Sequence, residues 1–176
     1  MKTVTLFRHA KAADKANPNV DDFDRPLAGR GLKAAARMGA ALRNRRLWPE
    51  LILCSPSVRT RQTLALAQAM AWDAPPKTRF EKKIYEAAPE TLLKLLKEAP
   101  EDAGHVMLIG HNPGLQDLAA SLAQPGPLRE QLMEKLPTGA VVSLKFDLER
   151  WKDIKSGSAR VALFLTPSML SPSGQE

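Results

Sequence analysis

The chain has 176 residues, which fits a single domain of ordinary size, about 100–150 residues or slightly more. Its 44% hydrophobic and 26% charged residues exclude a wholly disordered protein. We find no apolar run long enough for a transmembrane helix and no secretory leader, and the single cysteine, Cys54, cannot form an internal disulfide. We therefore expect a cytoplasmic protein that does not associate with membranes.

The net charge of +7 is unevenly distributed along the chain. Residues 1–88 hold 17 of the 26 Lys and Arg residues but only 8 of the 19 Asp and Glu residues. This excess favours an anionic ligand, either a phosphorylated substrate or nucleic acid. Aromatic residues make up only 5% of the chain, too few for a base-stacking platform, so a nucleic-acid partner is the less favoured interpretation.

Hydrophobic periodicity predicts that strands and helices alternate along the chain. The first half is predicted to contain a strand at 4–7, a polar loop at 11–28, helices at 29–46 and 57–71, a strand at 51–54, and a weakly extended segment at 78–85. The second half is predicted to contain helices at 91–97 and from Pro113 onward, strands at 105–109, 140–147 and 159–165, and a loop at 124–127. This alternation predicts a three-layer α/β/α fold around a mostly parallel sheet. We expect one small domain over residues 1–166 and a flexible tail at 167–176.

Charged and polar residues directly follow three of the predicted strands. Arg8 and His9 come at the end of the first strand, Ser55 comes after the second, and His111 follows the strongest strand, at 105–109. The carboxyl ends of parallel strands meet at one edge of a sheet, where folds of this class bind ligands. Two of the chain's three histidines stand there, so we predict that they share one site. His105 precedes its strand and is expected to be structural.

A second cation belongs to the same predicted site. Arg59 lies in the first turn of the helix at 57–71, next to the positive end of the helix dipole, where a cation is unfavourable unless an anion binds there. Arg61 points to another side of that helix and is expected to be structural. The sequence Gly29-Arg30-Gly31-Leu32-Lys33-Ala34 matches a dinucleotide fingerprint, but it follows no strand, so it does not predict a cofactor site. We also find no residues at metal-ligand spacing and predict no metal.

Four motifs, in this order, resemble those of the histidine phosphatase superfamily, the phosphoglycerate-mutase-like family. They are Leu6-Phe7-Arg8-His9-Ala10, Arg25-Pro26-Leu27 with Gly31, Ser55-Pro56 with Arg59 and Gln62-Thr63, and Leu108-Ile109-Gly110-His111-Asn112-Pro113. The short chain and the Gly-His-Asn-Pro sequence are most similar to the SixA-type phosphohistidine phosphatases. The resemblance spans residues 3–165 and implies a phosphoglycerate-mutase-like fold. The chain departs from the family at Ala10, where Gly is usual, and at Ala28, where a capping Thr is frequent.

The resemblance implies a catalytic role for each of four residues. His9 matches the family's nucleophile, Arg8 and Arg59 match its phosphate-binding arginines, and His111 matches its second histidine. A neutral imidazole can attack phosphorus in line and form a phosphohistidine, while guanidinium groups match the phosphoryl oxygens. The resemblance therefore implies a phosphatase that needs neither metal nor cofactor and works through a phosphohistidine on His9.

The proton donor to the leaving group is not fixed by the sequence. Larger family members use a Glu from an inserted region, but only 51 residues separate Arg59 from His111 here, so we expect no large lid insertion. Glu81 and Glu86 are the candidate donors, and a third possibility is that no side chain fills this role.

The substrate also remains open at the level of the sequence. A phosphoramidate leaving group can take up a proton on its own nitrogen, which favours phosphohistidine in a protein as the substrate. A phosphatase for small phosphomonoesters or nucleotides is the alternative, and a non-enzymatic module that binds phosphoanions or nucleic acid is a second one. The pair of histidines disfavours the non-enzymatic module, because binding alone requires no nucleophile.

Overall fold

The structure, a computed structural model, describes residues 1–170. A six-stranded sheet forms its centre, with the strand order β3-β2-β4-β1-β5-β6. The strands are β1 (Lys2–Arg8), β2 (Leu51–Cys54), β3 (Lys77–Phe80), β4 (His105–Gly110), β5 (Val141–Phe146) and β6 (Arg160–Leu165). Neighbouring strands from β3 to β1 pair in parallel, whereas β5 pairs antiparallel with both β1 and β6. Five strands therefore run in one direction, and the prediction of a mostly parallel sheet is confirmed.

Helices cover both faces of this sheet. They are α1 (Gly29–Asn44), α2 (Val58–Ala71), α3 (Pro89–Lys97), α4 (Gly114–Leu122), α5 (Pro127–Glu134) and α6 (Pro167–Leu170). One apolar cluster joins the sheet to α1, α2 and α6, and another joins it to α3, α4 and α5. The described residues thus form the predicted three-layer α/β/α arrangement.

Alternation along the strands divides the two cores between the faces of the sheet. In β4, Val106 and Leu108 belong to the cluster with α3, α4 and α5, whereas Met107 and Ile109 belong to the cluster with α1 and α2. All four side chains are 0% exposed. Burial of one such side chain stabilises a fold by roughly 1.5–3 kcal/mol, so a strand buried on both faces is fixed firmly in the middle of the sheet.

Two segments differ from the sequence-based prediction. Helix α5 was not predicted, because Leu132 is its one buried residue and a short polar helix carries almost no apolar period. Helix α6 occupies the first four residues of the predicted flexible tail, whereas residues 171–176 of that tail lie outside the described residues. The segment between α2 and β4 contains β3, a 3-10 helix at Lys82–Ile84 and α3, without a large inserted lid.

The polar loop at 11–28 is anchored against the helices that surround the site. Its ends meet in an isolated bridge between Ala12 and Leu27, and the Leu27 backbone N–H donates to Gln62 Oε1 of α2 at 2.8 Å. A Cβ on Gly31 would lie 2.1 Å from the Lys11 carbonyl oxygen, so only glycine allows α1 to begin so close to the loop. These contacts hold the loop beside the carboxyl end of β1.

Candidate active site

The register of the sheet places His9 beside His111. Strands β1 and β4 pair in parallel, with Arg8 opposite Gly110. The residue that follows each strand is a histidine, so the two histidines lie at the same edge of the sheet. The His9 backbone N–H donates to the Gly110 carbonyl at 3.1 Å, and the two imidazole centroids lie 5.4 Å apart. The exposed fractions of His9 and His111 are 7% and 8%, so both residues are buried.

His9 is held as a neutral imidazole with one ring nitrogen available. Its Nδ1 lies 2.7 Å from the Ala10 carbonyl oxygen, which can only accept, so Nδ1 carries the proton and Nε2 keeps its lone pair. Burial, assisted by the charges of Arg59, Arg8 and Arg25, lowers the pKa of His9 to about 4. The ring is therefore neutral at pH 7, with a free lone pair on Nε2, which is the state that a nucleophile requires.

His111 is oriented by a hydroxyl at the end of the neighbouring strand. Ser55 Oγ lies 2.8 Å from His111 Nε2. In the tautomer whose Nε2 accepts from this hydroxyl, the ring proton is on Nδ1. Burial and the proximity of His9 and Arg59 lower the pKa of His111 to about 3. A neutral His111 with its proton on Nδ1 can still donate one hydrogen bond to an anion.

The two arginines are fixed by main-chain and side-chain oxygens. Arg8 Nη1 donates to the Leu136 carbonyl at 2.9 Å, and the same carbonyl accepts from Asn112 Nδ2 at 2.9 Å. Arg59, which is 6% exposed, donates from Nη1 to the Asp22 carbonyl at 2.7 Å and from Nη2 to Asp22 Oδ2 at 3.1 Å. Burial and the charge of Arg59 lower the pKa of Arg8, because burial penalises the charged guanidinium and the neighbouring cation repels it.

Asp22 and Tyr85 belong to the same cluster, although the sequence did not single them out. The Tyr85 hydroxyl donates to Asp22 Oδ2 at 2.6 Å, and Arg25 Nη2 donates to Asp22 Oδ1 at 2.9 Å. These hydrogen bonds, with the charge of Arg59, hold the pKa of Asp22 well below its usual range. Burial and the Asp22 carboxylate raise the pKa of Tyr85 to about 12. The Tyr85 ring also meets the His111 ring edge-on, with centroids 5.3 Å apart.

Four buried nitrogens of this cluster have no hydrogen-bond partner within residues 1–170. They are Arg8 Nε, Arg25 Nε, Arg59 Nε and His111 Nδ1. Leaving a buried donor unpaired costs about 1–3 kcal/mol, and an anion at this position would remove that cost. Arg25 and Arg59 ion-pair with the Asp22 carboxylate, and Arg8 adds a third guanidinium beside the two neutral imidazoles. The resulting excess of two positive charges matches the charge of a phosphoryl dianion.

Thr63 of the third motif links the backbone at Ala10 to the backbone at Arg59. Thr63 Oγ1 accepts from the Ala10 backbone N–H at 3.0 Å and donates to the Arg59 carbonyl at 2.7 Å. Ala10 has no positive φ, so alanine at this position imposes no backbone strain where the family usually has glycine. At the start of α1, Ala28 makes no side-chain capping bond, as expected from the missing hydroxyl.

Neither of the two predicted proton donors bonds to the predicted catalytic residues, although the charge of Glu86 contributes, after burial and Asp22, to the raised pKa of Tyr85. Glu86 is exposed and Glu81 is half-buried, and within the described chain neither carboxylate hydrogen-bonds or ion-pairs with Arg8, Arg59 or either histidine. Asp22 is the carboxylate that the fold brings to the site. In the part of the chain that the structure describes, no three His, Cys, Asp or Glu side chains are grouped so as to hold a metal ion.

The residues expected to be structural lie outside this cluster. Arg61 donates from Nε to the Pro56 carbonyl at 2.8 Å, and its guanidinium lies over the Phe80 ring at 4.6 Å. His105, at the opposite edge of the sheet, lies 2.7 Å from Thr5 Oγ1 through Nε2. Cys54 is 0% exposed, and burial raises the pKa of its thiol to about 12, so it is an unreactive part of the core.

Across residues 1–170, the helices are all too short or too polar to cross a bilayer.

Comparisons with known proteins identify the family of the chain. A family model of the histidine phosphatase superfamily (branch 1) matches residues 4–81. An uncharacterized protein of Mycobacterium tuberculosis is 33% identical over 165 residues, which cover 92% of this chain and 99% of that relative. A solved structure from Agrobacterium tumefaciens, provisionally named phosphohistidine phosphatase SixA, is 31% identical with a TM-score of 0.81, and the match covers 94% of this chain and 98% of that one.

A more distant structure shares the fold. The protein histidine phosphatase SixA, solved in complex with tungstate, is 23% identical with a TM-score of 0.72, over 96% of this chain and 99% of that one. The family model and the similar structure from Agrobacterium tumefaciens support a phosphatase of the histidine phosphatase type. The chain belongs to the histidine phosphatase superfamily, and the predicted phosphoglycerate-mutase-like fold is confirmed.

Proposed function

We propose that this protein is a metal-independent phosphatase that removes the phosphoryl group from phosphohistidine in a protein, through a covalent phosphohistidine on His9. The observation that carries the proposal is a set of buried nitrogens near His9 that have no hydrogen-bond partner within residues 1–170, among them Arg8 Nε, Arg59 Nε and His111 Nδ1. A phosphoryl group bound there would accept from all three donors while its phosphorus faces His9 Nε2.

In the first step, the lone pair of His9 Nε2 attacks phosphorus, and the bond between phosphorus and the substrate's imidazole nitrogen breaks. The electron pair of that bond leaves with the substrate imidazole, which takes up one proton. The Nδ1 proton of His9 stays in its hydrogen bond to the Ala10 carbonyl, and this bond stabilises the positive charge that develops on the ring. Arg8 and Arg59 stabilise the charge on the three equatorial oxygens.

In the second step, a water molecule attacks the phosphorus bound to His9. The P–Nε2 bond breaks, its electron pair returns to Nε2, and the water gives up one proton as inorganic phosphate forms. The low pKa of His9, about 4, makes the ring a good leaving group in this step, because the regenerated neutral ring is the form that the site favours.

Within residues 1–170, neither Glu81 nor Glu86 bonds to the predicted catalytic residues, which favours a leaving group that needs little help from a protein acid. The imidazole of phosphohistidine is such a group, whereas an alkyl phosphate ester leaves as an alkoxide unless it is protonated. The Asp22 carboxylate is deprotonated in the resting site, since its pKa is lowered. Small phosphomonoesters or nucleotides are the second candidate substrates. Activity on p-nitrophenyl phosphate, an activated aryl ester, would reveal hydrolysis of small phosphoesters.

A phosphate-release screen tests this proposal. A phosphohistidine protein, p-nitrophenyl phosphate, sugar phosphates and nucleotides are each incubated with the wild-type chain, with His9→Ala and with His105→Gln. We expect the phosphohistidine protein to be hydrolysed most efficiently, and we expect His9→Ala to lose on the order of 10⁴-fold in kcat. His105→Gln, a change at the opposite edge of the sheet, should retain activity. If a small ester is hydrolysed most efficiently, the second candidate substrate is favoured. Activity retained in His9→Ala would contradict the role of His9 as the nucleophile.

A further inference from the structure

A carboxylate carried by the polar loop connects three separate elements of the chain. Asp22 lies in the loop at 11–28, Arg59 lies in the first turn of α2, and Tyr85 lies between β3 and α3. The Tyr85 hydroxyl and Arg59 Nη2 donate to the same oxygen, Asp22 Oδ2, at 2.6 Å and 3.1 Å. Arg25 Nη2 donates to the other oxygen, Oδ1, at 2.9 Å. Hydrogen bonds to a charged group are the stronger kind, so this carboxylate fixes the three elements relative to one another.

Asp22 holds one end of the Arg59 guanidinium. Its main-chain carbonyl accepts from Arg59 Nη1 at 2.7 Å, and its carboxylate accepts from Nη2. A guanidinium carries five N–H donors in one rigid plane, so contacts at both terminal nitrogens fix the direction of the donors that remain. One of these is on the buried Nε, which has no hydrogen-bond partner within residues 1–170. The remaining donors of Arg59 are therefore oriented before any anion arrives.

Asp22 is also the counter-ion of a buried cation. The side chain of Arg59 is 7% exposed, whereas that of Asp22 is 27% exposed. A buried charge without a partner is strongly unfavourable, so the carboxylate keeps Arg59 ordered while no phosphoryl group is bound. The hydrogen bond from Tyr85, with the charge of Arg59, holds the pKa of Asp22 well below its usual range. Asp22 is therefore ionised at neutral pH.

Tyr85 supports the same arrangement through its ring and its hydroxyl. Its ring meets those of Phe23 and His111 edge-on, with centroids 5.1 Å and 5.3 Å away. The guanidinium carbon of Arg59 lies 5.9 Å from the centre of the Tyr85 ring. Loss of the hydroxyl alone would keep these ring contacts and remove one donor from Asp22 Oδ2. The hydroxyl can therefore be tested separately from the packing of the ring.

We propose that Asp22 and Tyr85 are positioning residues for the phosphoryl group: Asp22 orients Arg59 through its two terminal nitrogens, and the Tyr85 hydroxyl holds Asp22. The inference rests on the proposed function and deepens it, because it assigns the residues that orient a phosphate-binding arginine of that site. It predicts an order of action along the chain of contacts. Asp22 affects the reaction only through Arg59, and the Tyr85 hydroxyl affects it only through Asp22.

Double-mutant cycles test this order of action. We would measure kcat/KM for a phosphohistidine peptide and for p-nitrophenyl phosphate in Asp22→Asn, in Arg59→Lys and in the variant that combines them. A lysine ammonium has no plane for Asp22 to orient. Asp24→Asn is the matched control, because it makes the same change at an exposed aspartate of the same loop. Calorimetric binding of vanadate to the same variants gives a readout that does not depend on turnover.

We expect Asp22→Asn to lower kcat/KM by about tenfold in the wild-type background, but by less than about threefold in the Arg59→Lys background. Tyr85→Phe should lower kcat/KM by about threefold, and it should have no further effect once Asp22 is Asn. Vanadate should bind more weakly to Asp22→Asn than to the wild type. Asp24→Asn should match the wild type in both measurements.

Equal losses from Asp22→Asn in the two backgrounds would overturn the inference, because a loop that is merely structural gives additive effects. A gain in kcat/KM or in vanadate affinity would also overturn it, since the carboxylate would then compete with the anion. If Asp22→Asn does not fold, Tyr85→Phe takes its place in the cycle with Arg59→Lys, and equal losses again refute the inference. If the wild type hydrolyses neither substrate, the proposed function fails, and vanadate binding still decides the inference.

Discussion

Arg59→Lys isolates the contribution of guanidinium geometry from that of charge. Arg59 donates from Nη1 and Nη2 to Asp22, at 2.7 Å and 3.1 Å, and its buried Nε has no partner in residues 1–170. A lysine ammonium keeps the charge but cannot satisfy Asp22 and a phosphoryl oxygen with a rigid planar fork. Loss of one such donor typically costs about 2–4 kcal/mol of transition-state stabilisation. We therefore expect kcat/KM to fall by roughly 30-fold to 1,000-fold.

The assay measures kcat/KM for a phosphohistidine peptide together with inhibition by vanadate, which mimics five-coordinate phosphorus. Vanadate inhibition should weaken in parallel with kcat/KM, because both report the same oxygens. Arg61→Lys is the matched control, two residues along α2, with its guanidinium over the Phe80 ring instead of at the site. It should change kcat/KM by less than about threefold. Equal small effects of the two substitutions would refute the assignment of Arg59 to the phosphoryl group.

Three further predictions concern the remaining parts of the site. Ser55→Ala removes the hydroxyl beside His111 Nε2 and should lower kcat/KM by about tenfold, as one hydrogen bond is lost; an unchanged value would show that Ser55 does not orient the ring. Burial lowers the pKa values of His9, His105 and His111 to about 4, 4 and 3. The same histidines in the unfolded chain bind protons near pH 6.5, so the melting temperature should fall as the pH falls from 6.5 towards 5. A rise in the melting temperature over this range would contradict the prediction. EDTA should leave phosphate release unchanged, and activity that is lost in EDTA and restored by Mg²⁺ or Zn²⁺ would refute the metal-independent proposal.

The positions of the two histidines could be predicted because they depend only on where two parallel strands end and on whether these strands are neighbours. Each follows an apolar strand, and parallel pairing of two buried strands aligns their carboxyl ends, so His9 and His111 had to meet if β1 and β4 were neighbours. Arg59 could be predicted for a similar local reason, because it lies at the first turn of the helix after β2. Helix α5 escaped prediction because its single buried residue, Leu132, gives no period.

The polar partners of these residues could not be predicted in the same way. Asp22 is one of four aspartates in the loop at 11–28, and nothing in their spacing shows which one turns towards Arg59. Tyr85 follows a short 3-10 helix whose direction depends on the packing of the buried Ile84. The Leu136 carbonyl that accepts from Arg8 is a main-chain atom, so no side-chain pattern in the sequence indicates it. These contacts arise from tertiary packing, which also left Glu81 and Glu86 outside the cluster.

The central claim, a covalent phosphohistidine on His9, is tested most directly by trapping the intermediate. The protein is mixed with a phosphohistidine peptide, turnover is stopped in alkaline denaturant, which preserves phosphoramidate bonds, and the peptides are analysed by mass spectrometry. The account predicts one added phosphoryl group on the peptide that contains His9, and none in His9→Ala. Phosphate release without a phosphorylated peptide, or a phosphoryl group on His111 or His105 in place of His9, would contradict it.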